Sequence, residues 1–252
     1  MIKKIEMTET GSGPAVLLLH GVPGLAEDFA PLVDALAPSH RVLVATLPGY
    51  GQAPPLPDPY SMARVTSLLE DTLLARGVES VALVGHSVGA YRAFALALSA
   101  RVPVTRIVAL GGLAGLDPAV REQYSTFAKM LRNGDDFREF AITHFLAPAY
   151  AAAHPEDAAH VGDLMNAAPS AVLAAEVDAM TTMEDLRPRL SSLLVPILVR
   201  SGALDLGIPL AWSEEIARRA PHATMQIVPG CGHMLLLEDR AATVAAVKAA
   251  LG

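Results

Sequence analysis

The chain has 252 residues, 52% of them apolar and 18% charged, with a formal net charge of −7. That length fits one large α/β domain or two small ones, and the apolar content is enough to bury a sizeable core and excludes a disordered chain. The acidic balance argues against a nucleic-acid partner, which needs clustered Lys and Arg to replace phosphate counterions.

Cys231 is the single cysteine, so no disulfide can form within the chain. Met1-Ile2-Lys3-Lys4 opens like a signal peptide, but Glu6 and Glu9 stand where its apolar stretch would be. No apolar run approaches the ~20 residues that span a bilayer. The expectation is a cytoplasmic protein, monomeric or homodimeric, with a small-molecule substrate and neither membrane nor nucleic acid as partner.

Residues 2–8 read as one short strand. Ala15 to His20 is an apolar strand ending at Gly21, and Phe29 to Leu36 has helical apolar spacing. Arg41 to Ala45 is another strand, and Val65 to Ala75 an amphipathic helix that stops at Gly77. Val81 to Val84 reads as strand, Val88 to Leu98 as apolar helix, and Ile107 to Leu110 as strand. Val195 to Arg200 and Met225 to Val228 add two more strands, with a helix between them and an Ala-rich helix at the end. The strands are continuous apolar runs, as in parallel sheets covered on both faces.

Residues 115–190 break this alternation. They contain no convincing strand and carry helical apolar spacing, with Met130, Met165, Met180 and Met183 among them. The expected division is a core of residues 1–114 and 191–252, with residues 115–190 as an inserted helical cap.

Gly85-His86-Ser87-Val88-Gly89 fits G-x-S-x-G between a strand and a helix. Small residues let the chain turn sharply there, which lifts the hydroxyl clear of the sheet and aims a helix N-terminus at it. By itself such a motif also fits a serine that caps a helix. A serine nucleophile needs a base to take its proton and a carboxylate to hold that base in the right tautomer. Of eight histidines, His233 is the best base, because it follows the last strand in Gly230-Cys231-Gly232-His233, where two glycines let the loop bend back over the sheet. Asp205, in Ser201-Gly202-Ala203-Leu204-Asp205, stands at the carboxyl end of a strand, where open α/β sheets place their sites. Asp117 is a second candidate, although Asp117-Pro118 looks like the start of the first cap helix.

Ser87, Asp205 and His233 occur in the chain order of the α/β-hydrolase fold. With His20-Gly21-Val22-Pro23-Gly24, the Gly85–Gly89 turn, Gly202 to Asp205 and Gly232-His233, nearly the whole chain resembles the capped branch of the α/β-hydrolase superfamily. The resemblance implies a mostly parallel sheet of roughly seven strands flanked by helices. It implies an oxyanion hole formed by the backbone N–H groups of Val22 and Val88, since Pro23 has no N–H to donate. His20 is expected to be a structural hydrogen-bonder beneath that loop. The expected chemistry is hydrolysis of carboxylic esters, or of related lactones or thioesters, with C–C bond hydrolysis or slow-turnover ligand sensing as alternatives. No cofactor is required, and no Cys/His cluster has metal-ligand spacing.

The chain departs from the family pattern at Thr46-Leu47-Pro48-Gly49-Tyr50-Gly51-Gln52-Ala53, where Thr46 and Ala53 replace a common Asp and Ser. The turn is expected to survive on its glycines and to lose polar cross-links. The turn after Ser87 ends in Gly89-Ala90 where two glycines are common. Phe127, Met130, Phe145, Met180 and Met234 are the expected substrate-binding residues, forming an apolar pocket suited to acyl or aryl groups.

Overall fold

The computed structural model describes residues 4–57 and 59–252. Met1 to Lys3, and with them most of the reading of the chain start, lie outside the described residues. The elements in chain order are β1 (Glu6–Thr10), β2 (Ala15–Leu19), α1 (Ala30–Leu36), β3 (Arg41–Thr46), α2 (Met62–Ala75), β4 (Val81–His86), α3 (Val88–Ser99) and β5 (Val104–Leu110). Then come α4 (Pro118–Asn133), α5 (Arg138–Phe145), α6 (Pro148–Ala153), α7 (Pro155–Asp163) and α8 (Ser170–Thr181). The chain closes with β6 (Ile197–Gly202), α9 (Leu210–Arg219), β7 (Ala223–Val228), α10 (Leu235–Glu238) and α11 (Arg240–Leu251).

Seven strands form one sheet in the order β1-β3-β2-β4-β5-β6-β7. Every pairing is parallel except that of β1 with β3. The apolar runs follow from burial on both faces. Val16 and Leu18 pack with Phe29, Leu32, Leu36, Val247 and Leu251 on the α1/α11 side. Leu17 and Leu19 pack with Leu69, Leu73 and Phe94 on the α2/α3 side. Successive residues of a strand point to opposite faces, so both must be apolar here. The first strand is shifted from the expected 2–8 to Glu6–Thr10, an edge position where most side chains are exposed and leave little apolar signal.

Chain order reverses between β2 and β4: β3 lies outside β2, whereas β5, β6 and β7 continue from β4 in the other direction. A crevice opens at the carboxyl ends of the strands at such a reversal. Register brings Leu19 beside Gly85 and His86 beside Leu110, so the loops that follow β2, β4 and β5 emerge together.

Among the described residues, no strand occurs between β5 and β6. Proline opens three helices of this insertion, at Pro118, Pro148 and Pro155, where its missing N–H has no intrahelical partner to lose. Asp117 is the N-cap residue of α4, as Asp117-Pro118 suggested, and its carboxylate pairs with Arg187 at 2.7 Å.

The insertion is tied to the core by a buried ion pair. Arg92 on α3 donates to Glu176 on α8, and neither side chain is accessible to solvent. Tyr50 and Tyr60 donate to the two oxygens of the same carboxylate, and Arg92 also donates to the His20 carbonyl at 3.2 Å. Burial, reinforced by the Glu176 charge, pushes both phenols well above their ordinary value and keeps them as donors. The Thr46–Ala53 turn survives, as expected, on backbone hydrogen bonds from Gly49 to Ala53 and from Ala53 to Tyr50. It then delivers Tyr50 to Glu176, a polar cross-link the sequence did not suggest. Removing one member of a buried charge pair strands the other, at a cost of about 3–5 kcal/mol. Glu176→Ala is therefore expected to lower unfolding free energy by that order in urea titration. The apolar double replacement Arg92→Met/Glu176→Leu should cost less than Glu176→Ala alone.

Candidate active site

Ser87 connects β4 to α3 with φ 57° and ψ −124°, a conformation that non-glycine residues seldom adopt. Its neighbours make room for it. A β-carbon at Gly89 would overlap the Leu19 carbonyl, one at Gly85 would overlap the Gly89 backbone, and one at Gly21 would lie 2.8 Å from the Ser87 β-carbon. Glycine at these positions lets α3 start directly above β2 and β4, with its N-terminus beside the Ser87 side chain. Ala90 stands where a second glycine is common, and Gly112 complements it: a β-carbon at Gly112 would lie 2.6 Å from the Ala90 methyl.

Asp205 and His233 come from the loops after β6 and β7, which the register of Gly202 with Val228 holds side by side. His233 Nδ1 donates to Asp205 Oδ2 at 2.7 Å, and the other carboxylate oxygen accepts from the Ile208 N–H at 2.7 Å. Both residues are buried. The Asp205 bond places the imidazole proton on Nδ1 and leaves the Nε2 lone pair free. Gly111, after β5, gives the pair its space, because a β-carbon there would lie 2.9 Å from His233 Nδ1 and 3.2 Å from Asp205 Oδ2. Ser87 and His233 line one cavity, and no hydrogen bond joins their side chains, a bond often loose before substrate arrives. Asp117, the second candidate, lies elsewhere, at the start of α4 and paired with Arg187.

Val22 and Val88 line the same cavity. Beneath them, His20 Nδ1 donates to the Gly21 carbonyl at 2.9 Å, and His20 Nε2 accepts from the Leu47 N–H at 3.2 Å. This is the structural role expected of His20. The ring of His86 lies 4.6 Å from that of His233, and its Nε2–H donates to the His233 carbonyl at 3.1 Å. Burial pushes both His20 and His86 down to about 3, so both are neutral. Burial also pushes the Cys231 thiol up, and the neighbouring Glu238 and Asp239 charges add to the shift.

The cavity is about 420 Å³. Its floor is Ser87, His233 and the two valines, and its roof comes from the insertion, with Tyr124 and Phe127 on α4, Phe145 at the end of α5, and Val177 and Met180 on α8. Phe127, Phe145 and Met180 therefore stand where substrate-binding residues were expected. Met130 and Met234 lie outside the cavity. Met130 is 40% exposed on α4, one turn beyond Phe127. Met234 is buried and lines a separate small recess with Pro23, Asp28 and Leu235. Sequence reasoning missed Leu206, Ile208 and Trp212, which reach the cavity from the segment after Asp205. Their only signal was proximity to that aspartate. Among the described residues lining the cavity, none is Asp, Glu, Lys or Arg. Among the described residues, no group of three His, Cys, Asp or Glu side chains could hold a metal ion, and no helix is long and apolar enough to cross a membrane.

Residues 16–247 match the alpha/beta hydrolase family, and the chain belongs to it. Among relatives, the pimeloyl-[acyl-carrier protein] methyl ester esterase of Xanthomonas campestris pv. campestris is 30% identical over 235 residues, covering 88% of this chain and 89% of that protein. The RutD protein of Caulobacter sp. (strain K31), provisionally named a carbamate hydrolase, is 30% identical over 246 residues, covering 89% of this chain and 87% of its own. The structure of a thermophilic esterase from Thermogutta terrifontis superposes with a TM-score of 0.90 at 27% identity, covering 98% of this chain and 92% of the other.

The neutral state of His20 and His86 has a consequence for stability. In the unfolded chain they bind protons below about pH 6.5, whereas in the folded chain they stay neutral down to about 3. The unfolded state thus binds more protons in this window, and stability falls as pH falls. The urea midpoint is expected to drop between pH 7 and pH 5, and His86→Gln should flatten that slope.

Proposed function

We propose that the chain is a serine hydrolase that cleaves carboxylic esters of small, largely apolar molecules through an acyl-enzyme. The observation that carries the reading is the 2.7 Å Asp205–His233 pair, opening with Ser87 onto one uncharged cavity. In this mechanism His233 Nε2 takes the Ser87 proton as Oγ attacks the carbonyl. The N–H groups of Val22 and Val88 receive the developing oxyanion, helped by the positive N-terminal end of α3. His233 then protonates the leaving alcohol and activates water to release the acid. Asp205 holds the imidazole and steadies its positive charge.

Helices α4 to α8 act as the cap. Their apolar roof favours neutral acyl and aryl groups, and an uncompensated charge would lose its hydration there without gaining a partner. The family membership and the named activities of the relatives, an ester hydrolase among them, support the same chemistry.

The direct test is turnover of short-chain p-nitrophenyl esters. Ser87→Ala is expected to abolish it, and Asp205→Asn to lower kcat by about 10²–10⁴-fold while the protein stays folded. Failure to hydrolyse any of a panel of esters, thioesters and lactones would overturn the proposal. Within the panel, kcat/KM for a neutral butyrate ester is expected to exceed that for an anionic hemisuccinate ester at least about ten-fold. Equal values would contradict an uncharged site.

A further inference from the structure

Glu238 ends the short helix α10, five residues after His233, and makes no ion pair among the described residues. Its carboxylate accepts three backbone N–H groups. Oε2 takes those of Gly232 at 2.8 Å and Ala147 at 2.9 Å, and Oε1 takes that of Met234 at 3.1 Å. Two of these donors flank His233. The third belongs to the insertion, at the junction of α5 and α6. The same junction answers with an acceptor: the Phe145 carbonyl receives the His233 N–H at 2.8 Å and the Met234 N–H at 3.2 Å.

The contact is close as well as polar. A β-carbon at Gly232 would lie 2.8 Å from Ala147 N and 3.0 Å from the Phe145 carbonyl, so no side chain fits between the two segments. The Phe145 ring lies 5.3 Å from the His233 ring, and a β-carbon at Gly207, in the loop after Asp205, would lie 2.7 Å from the Phe145 ring. Segment 145–147 therefore touches the loops that carry both the imidazole and its carboxylate.

We propose that Glu238 is a positioning residue for His233, whose carboxylate clamps the 232–234 turn to segment 145–147 of the cap, so that the aim of the imidazole and the seat of the cap are set together. This rests on the reading of His233 as the base. An ionised carboxylate suits the task because it has acceptors only and all three partners are donors. An amide would turn an N–H toward an N–H. A small tilt of the imidazole is enough to matter, since a displacement on the order of 1 Å can cost about 10²-fold in rate.

The test compares Glu238→Gln, Glu238→Asp and Tyr150→Phe with the parent protein on p-nitrophenyl butyrate, each rate normalised to active sites counted from the acylation burst. Glu238→Gln is expected to lower kcat about 10–100-fold with KM changed less than about three-fold. Glu238→Asp, which keeps an acceptor-only carboxylate, should recover part of that loss. Tyr150→Phe removes two neighbouring ties, the bond from Tyr150 to the Asp157 carboxylate and the 3.1 Å bond to the Leu237 carbonyl, without touching the 232–234 turn. It is expected to lower the melting temperature and leave kcat unchanged. Glu238→Gln with the parent kcat per active site, or a loss confined to KM, would overturn the proposal. So would equal kcat losses in Glu238→Gln and Tyr150→Phe. Should Glu238→Gln not fold, a parent-like kcat in Glu238→Asp at a changed KM would overturn it equally. Ser87→Ala and His233→Ala run alongside. If either retains hydrolysis, the serine-hydrolase reading itself fails; if both abolish it while Glu238→Gln is silent, only the clamp fails.

Discussion

Between β2 and the first turn of α3 the backbones approach so closely that a single β-carbon at Gly89 would overlap the Leu19 carbonyl. Much of the site depends on that approach. It lets the chain reverse at Ser87 with a positive φ and puts the N-terminus of α3 at the point where strand order reverses. It also brings the loop of Gly21 and Val22 into the same crevice. A strained serine persists only where surrounding structure determines it. Here the surroundings are two central, almost wholly buried strands, β2 and β4, whose carboxyl ends are held in register.

Around this rigid centre the insertion is attached by polar contacts at separate places. On the α8 side the Arg92–Glu176 pair joins the insertion to α3, and through the His20 carbonyl to the loop that carries Val22. On the α5 side, the Phe145 carbonyl is bonded to the loop that carries His233, and the Ala147 N–H to Glu238 at the end of α10. The helices that roof the cavity are thus bonded to segments that shape its floor. On the proposed reading, pocket shape and the placement of Ser87 and His233 are physically coupled. Changes made in the insertion can reach the Asp205–His233 pair by the same contacts.

Much of this was legible in the sequence, for identifiable reasons. Strands covered on both faces need both sets of side chains apolar, so Ala15–Leu19 and Val81–Val84 stood out as unbroken runs. Gly85 to Gly89 declared a turn that only small residues allow. Proline marked helix starts at Pro118, Pro148 and Pro155. The Arg92–Glu176 pair was not legible, because its members are 84 residues apart and pairing depends on how α8 lies over α3. Its one trace was the lone charge of Arg92 in the apolar run of α3, since α8 carries Asp178 as well as Glu176. The cavity wall was half legible. Phe127 and Met180 lie on faces that turn inward, but periodicity could not separate them from Met130, and nothing local placed Trp212 opposite them. The carboxylate of Glu238 finds its partners through a backbone path that no spacing rule encodes.

Ser87 is proposed to be a nucleophile activated by His233 and Asp205. Covalent trapping tests it without knowledge of the natural substrate. The protein is incubated with a small organophosphate, digested, and its peptides are mapped by mass spectrometry. One stoichiometric adduct is expected on the peptide containing Ser87, absent in Ser87→Ala and formed far more slowly in Asp205→Asn. An adduct on another residue, no adduct at Ser87, or the same rate without the Asp205 carboxylate would contradict it.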